Sequence, residues 1–97
     1  LSPARRRLVE LLQTINFGRL EYLTVEGGEP VLDPSPPVTR EHKFASENGP
    51  RPEAERPECA LKSQHLDLMR VLDEVGDGVI AVIVCKHGIP FSCELPG

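Results

Sequence analysis

The sequence predicts an α+β fold: two helices on one face of a four-stranded, mainly antiparallel sheet, related by a pseudo-two-fold axis. Three observations predict it. Seven consecutive apolar residues, Val79 to Cys85, lead into His87-Gly88 and then a second short run, Ile89 to Cys93. An X-Gly pair between two β-rich runs marks a two-residue hairpin, because a type I′ turn needs φ > 0 at both central residues. The same plan stands sixty residues earlier, where Leu8, Leu12, Gly18, Gly28, Pro30 and Pro36 match Leu68, Leu72, Gly78, Gly88, Pro90 and Pro96. These matches fall on bends, turns and the helix stripe, so the chain reads as one helix–strand–strand unit written twice. A unit this small cannot bury its own apolar face, so the two must share a core.

At 97 residues there is room for one domain and one core. Its expected parts are a first unit over 1–37, a proline-rich, charged connector over 38–59, and a second unit over 60–97. Ser2-Pro3 is a helix start, since Ser caps free N–H groups and Pro fits the first helical position. Leu8, Leu11, Leu12 and Ile15 then form one apolar stripe. Asn16-Phe17-Gly18 ends that helix, with Gly18 suited to a left-handed cap or an entry bend. Leu20 to Val25 reads as a strand, Gly27-Gly28 as a turn and Pro30 to Leu32 as the returning strand, an edge because Pro30 cannot donate to a ladder.

Beyond Pro34-Ser35-Pro36-Pro37 the chain leaves regular structure. Residues 38–44 either form a short polar edge strand, with Val38, Arg40, His42 and Phe44 on one face, or stay irregular. Ala45 to Glu58 has no apolar period and reads as a loop. The second helix is expected from Ala60, with Leu61, His65, Leu68, Val71, Leu72 and Val75 as its stripe and Gly76-Asp77-Gly78 as its stop. His65 reads as a core or boundary histidine rather than a ligand.

Residues Leu8 to Leu32, with Ile15-Asn16-Phe17-Gly18 and Val25-Glu26-Gly27-Gly28-Glu29-Pro30-Val31, resemble the small uncharacterised bacterial YezD-like family. That family is also short, with one helix followed by a glycine and a hairpin. This chain departs from it by carrying two units and a proline-rich insert. The resemblance implies architecture and supplies no catalytic residue.

Composition and motifs exclude more than they assert. No apolar stretch approaches the roughly 20 residues of a membrane span, and no signal peptide pattern is visible. Three cysteines without framework spacing point to a reducing compartment, so the expected location is the cytoplasm. Cys85, His87 and Cys93 are the one grouping with metal-ligand chemistry, and Cys59 has no histidine companion. With His87-Gly88 as the turn, Cys85 should pair with Pro90 and Cys93 with Val82, which places the two sulfurs on opposite faces. No metal, cofactor or catalytic residue is therefore assigned. Nucleophile elbow, Walker loop, dinucleotide fingerprint and zinc spacing are all missing.

The net charge of −4 is uneven. Residues 1–19 carry +3 through Arg5, Arg6, Arg7 and Arg19 against Glu10, whereas the first hairpin carries −4 through Glu21, Glu26, Glu29 and Asp33. An acidic total disfavours bulk affinity for phosphate backbones. Arg5, Arg6, Arg7 and Arg19, with Arg40 and Lys43, keep a local nucleic-acid contact as the alternative reading, and a small enzyme of unassigned chemistry is third.

The leading expectation is a non-enzymatic protein-interaction or regulatory module. Strict alternation puts Ile80, Val82, Val84, Phe91 and Cys93 on the core side of the second hairpin, and Leu20, Tyr22 and Val31 on one side of the first. Leu23, Val25, Leu32, Ala81 and Ile83 then fall on the sheet face without helices. Such an apolar face marks an interface, here with a second copy in a homodimer or with a different protein. The competing expectation is that the loop from Pro34 to Glu58 folds over it.

Overall fold

The computed structural model describes residues 1–42, 44 and 63–96. The expected loop from Ala45 to Glu58, together with Cys59, Leu61 and Lys43, lies outside the described residues. Helix α1 spans Pro3–Ile15, and the Ser2 side chain accepts from the Arg5 N–H at its start. Strands β1 (Gly18–Glu26), β2 (Glu29–Val31) and β3 (Val38–Arg40) follow. Helix α2 covers Ser63–Val75, then β4 runs over Gly78–Lys86 and β5 over Ile89–Glu94. No described helix is long and apolar enough to cross a membrane.

The strand order is β2-β1-β4-β5, every pair antiparallel, with β3 also beside β1. The long central strands β1 and β4 pair from Gly18↔Cys85 to Val25↔Gly78 and relate the two units. Outside β1, β2 takes Thr24–Glu26 and β3 takes Gly18–Leu20. The polar segment after Pro37 is thus a strand, but only three residues long.

Both turns hold φ > 0 at their two central residues: 57° and 78° at Gly27-Gly28, 56° and 73° at His87-Gly88. Each turn is fastened to the other unit's helix. The Gly28 N–H donates to the Gly76 carbonyl at 2.8 Å, and the Gly88 N–H donates to the Asn16 carbonyl at 2.8 Å. Helix C-termini leave carbonyls unpaired, so each turn supplies a donor that the opposite helix lacks. The cap of α1 is Asn16 (φ 66°, ψ −63°), with the Phe17 N–H donating to the Ile15 carbonyl across it, and the positive-φ residue at the end of α2 is Gly76 (φ 65°).

The core lies between the helices and one face of the sheet. Leu8, Val9, Leu12 and Ile15 meet Leu68, Met69 and Leu72 over Leu20, Leu23, Val25, Ile80, Ile83 and Cys85. In both central strands the buried positions fall at corresponding places, 20, 23, 25 and 80, 83, 85. The interval of three before the interval of two means that side-chain phase changes mid-strand. In β1 it changes at Tyr22, which adopts φ 56° between the Glu21–Val82 and Leu23–Ile80 pairs. A local irregularity of this kind resets which side chains share a face.

Two expectations fail because of such irregularities. Leu23, Val25 and Ile83 do not lie on the helix-free face: they are at most 1% exposed within the core, and Leu32 packs against them. Val82, Val84 and Phe91 are not core residues, Phe91 being 63% exposed. Cys93 pairs with Ile83 rather than Val82, because a register shift between Val84 and Cys85 leaves Phe91 as an extra residue in β5. Both cysteines consequently lie on the helix side, free and not bonded to each other.

Candidate interaction surfaces

The helix-free face is set by what alternates with the core positions. Arg19↔Val84, Glu21↔Val82 and Thr24↔Val79 are pairs on this side of β1 and β4, with Val31 opposite Thr24 and Ser92 opposite Val84. Val31, Val82 and Val84 are half-buried, Val79 is exposed, and the half-buried Ala81 sits outside the core cluster. Tyr22, in mid-strand between the Glu21–Val82 and Leu23–Ile80 pairs, is 66% exposed. A tyrosine at positive φ is sterically disfavoured, and backbone strain that persists within a strand points to function. Alternation alone missed Tyr22, although the three-then-two spacing of Leu20, Leu23 and Val25 was the signal that could have found it.

Arg19 lies on this same face, with its Nε 3.0 Å from the Glu21 carboxylate. Arg5 is elsewhere and serves the fold. Its Nη2 and Nε donate to the Gly28 carbonyl at 2.9 and 3.3 Å, and its guanidinium pairs with Glu29 at 3.5 Å and with Asp73. Arg6 and Arg7 are exposed on α1, while Arg40 donates to the Thr14 carbonyl at 3.3 Å. The arginines expected to act together are therefore divided between the two faces of the sheet, with Arg5 engaged in holding helix to turn.

A groove of about 390 Å³ opens between α2 and β5, lined by Leu68, Val71, Ile83, Phe91 and Cys93 with Asp67, Arg70 and Glu74 at its rim. Its counterpart beside α1 holds Leu32 where the second unit has the shorter Cys93. Burial pushes the Cys93 thiol pKa up. It pushes the Cys85 thiol further, to about 11, against a smaller lowering by a backbone hydrogen bond from Gly88. The Cys85 thiol donates to the Leu12 and Asn16 carbonyls at 3.2 and 3.3 Å. Neither thiol has the lowered pKa of a nucleophile. His65 is buried, as its place in the stripe implied. Among the described residues no three His, Cys, Asp or Glu side chains converge to hold a metal. No protein-family model, curated protein or solved structure matches the chain.

Proposed function

We propose that the protein is a non-enzymatic interaction module that binds a protein partner, a second copy or a different chain, through the helix-free face of its sheet. The single observation that carries this reading is Tyr22. It is an aromatic held at φ 56° in a central strand, 66% exposed, between the Glu21–Val82 and Leu23–Ile80 pairs. Left-handed backbone costs a non-glycine residue roughly 1–2 kcal/mol, and exposed tyrosine is a favoured interface anchor. A strained conformation that displays such an anchor fits a binding role. The division of the arginines between two faces supports the nucleic-acid alternative less well.

Two measurements test the proposal. Sedimentation at micromolar concentration reads self-association, and a benzophenone side chain at position 22 reads contact with another protein in the host. Val82→Asp should abolish the association or the cross-link while the helical circular dichroism persists. Unchanged sedimentation and an unchanged cross-link pattern in that variant would refute the reading. Tyr22→Gly should separate binding from folding. It should weaken association yet leave stability equal or higher by about 1 kcal/mol, since glycine relieves the left-handed strain.

A further inference from the structure

Gly18 and Gly78 open the two central strands, but among the described residues only Gly18 is pressed by a neighbouring strand. A Cβ on Gly18 would stand 2.0 Å from the Thr39 carbonyl oxygen and 3.0 Å from the Arg40 Cα. The missing side chain is what lets β3 lie alongside β1. Gly78 is not among the positive-φ residues, and the nearest described atom to a Cβ there is a Val75 methyl at 3.3 Å. It is also exposed.

The outer side of β4 explains the difference. Strand β5 covers Val82 to Lys86 and stops at Glu94, and Leu95-Pro96 follow outside the sheet. Gly78 to Ala81 thus has β1 on one side and no described strand on the other. In the first unit the corresponding edge is occupied. The Glu21 N–H donates to the Pro37 carbonyl at 3.0 Å, and the Glu41 N–H donates to the Phe17 carbonyl at 2.8 Å. The sixty-residue offset makes the Ala81 N–H and the Asp77 carbonyl their counterparts.

We propose that Gly78–Ala81 is a strand-docking position that receives an extended, basic segment of another polypeptide, antiparallel to β4 as β3 is to β1. An open sheet edge recognises backbone, and flanking side chains then select sequence. The first unit shows the form of the occupant: after two prolines, Val38-Thr39-Arg40, with Arg40 reaching the α1 C-terminus. The C-terminal end of a helix dipole attracts a cation. In the second unit Glu74 replaces Thr14 and Asp77 replaces Phe17, both exposed carboxylates. The charge there favours a segment richer in Lys or Arg than β3 itself. The strand edge shares Val79 and Ala81 with the helix-free face but is engaged through backbone groups, so loss of peptide binding and loss of Tyr22-dependent association are read separately.

The test uses the full chain and a fluorescent synthetic peptide copying residues 36–42 with lysine in place of Glu41. Anisotropy should show saturable binding, weakened at least about tenfold by Gly78→Val, if the docking strand approaches Gly78 as Thr39 and Arg40 approach Gly18. Glu74→Gln should weaken it about threefold, the scale of an exposed charge pair. Amide exchange in the unaltered protein gives a readout that does not depend on a variant folding. The Val79 and Ala81 amides should exchange fast alone and slowly with peptide, whereas Arg19 and Glu21 stay slow throughout. No binding at millimolar peptide, binding indifferent to Gly78→Val, or Val79 and Ala81 already protected without peptide would each overturn the proposal. The last result would mean that the chain fills its own edge.

Discussion

The two units share helix, central strand and turn, but they close differently at their outer borders. In the first, β2 ends after three residues, the chain turns through Asp33 to Pro37 with Pro36 buried, and β3 completes the edge of β1. In the second, β5 runs six residues through a register shift and stops, leaving the opening residues of β4 without a described neighbour on that side. The helices differ in the same way. Arg5 clamps the first turn to α2 through Asp73, whereas the corresponding place in α2 holds His65, buried at 2% exposure. The two units share the residues that set geometry and differ at the borders, where contacts can vary without disturbing the core.

The comparison breaks first if the cores are not equivalent. Leu12 and Leu72 hold the same place in their helices, both fully buried. Leu12→Ala and Leu72→Ala should each cost about 2–5 kcal/mol in urea denaturation. Equivalence requires the two values to agree within about 1 kcal/mol, and a wide gap would show that one unit dominates the shared core.

Arg5 tests the asymmetry of the clamps. Arg5→Ala should cost about 2–3 kcal/mol, since it removes charge-assisted bonds to a carbonyl and two carboxylates from a half-buried site. Lysine cannot reproduce the fork geometry, so Arg5→Lys should recover less than half of that loss by the same measurement.

The thiols sharpen the contrast between a closed interior and an open groove. Cys85 titrates at about 11 when folded, above the ordinary thiol near about 8.5. A folded value above the unfolded one contributes stability that is fully present below about pH 8.5 and lost as pH rises toward about 11. Stability should fall by on the order of 2–3 kcal/mol across that window, and Cys85→Ala should flatten the decline. Cys93, half-buried at the groove, should react with iodoacetamide well before Cys85 does.

The smallest effect should come from repairing the difference in packing. Cys93 stands opposite Ile83 where Leu32 follows the Thr24–Val31 pair in the first unit. Cys93→Leu should fill part of the groove and raise stability by about 0.5–1 kcal/mol, read by thermal denaturation. A loss instead would show that the extra residue Phe91 has altered the site too far for the first unit to be its template.

The helices, both turns and the pairing of two units were legible because each rests on local chemistry. Ser2-Pro3 starts a helix, Gly27-Gly28 and His87-Gly88 permit positive φ, and the leucine stripes follow the helical period. Face assignment in the strands was not legible by alternation. One residue out of phase at Tyr22 and one extra at Phe91 exchange the two sides of a strand, and neither carries a glycine or proline to announce it. The helix-free face survives as a surface, but of the five residues first placed there only Ala81 remains outside the core cluster. Val38 to Arg40 was ambiguous for a different reason. Three exposed residues have no burial pattern, and their strand exists through a partner edge that Gly18 leaves room for.

The reciprocal fastening of turns to helix ends also governs how the chain reaches this state. The Gly28 turn is completed by Gly76 and the Gly88 turn by Asn16, contacts that span 48 and 72 positions. A ribosome that has released only the first half has made none of them. Each half can pair its own hairpin but lacks the donor or acceptor from the other half, so the turns are fully fastened only when both units are present. For the same reason, the two halves synthesised as separate chains should find one another and assemble into the complete sheet.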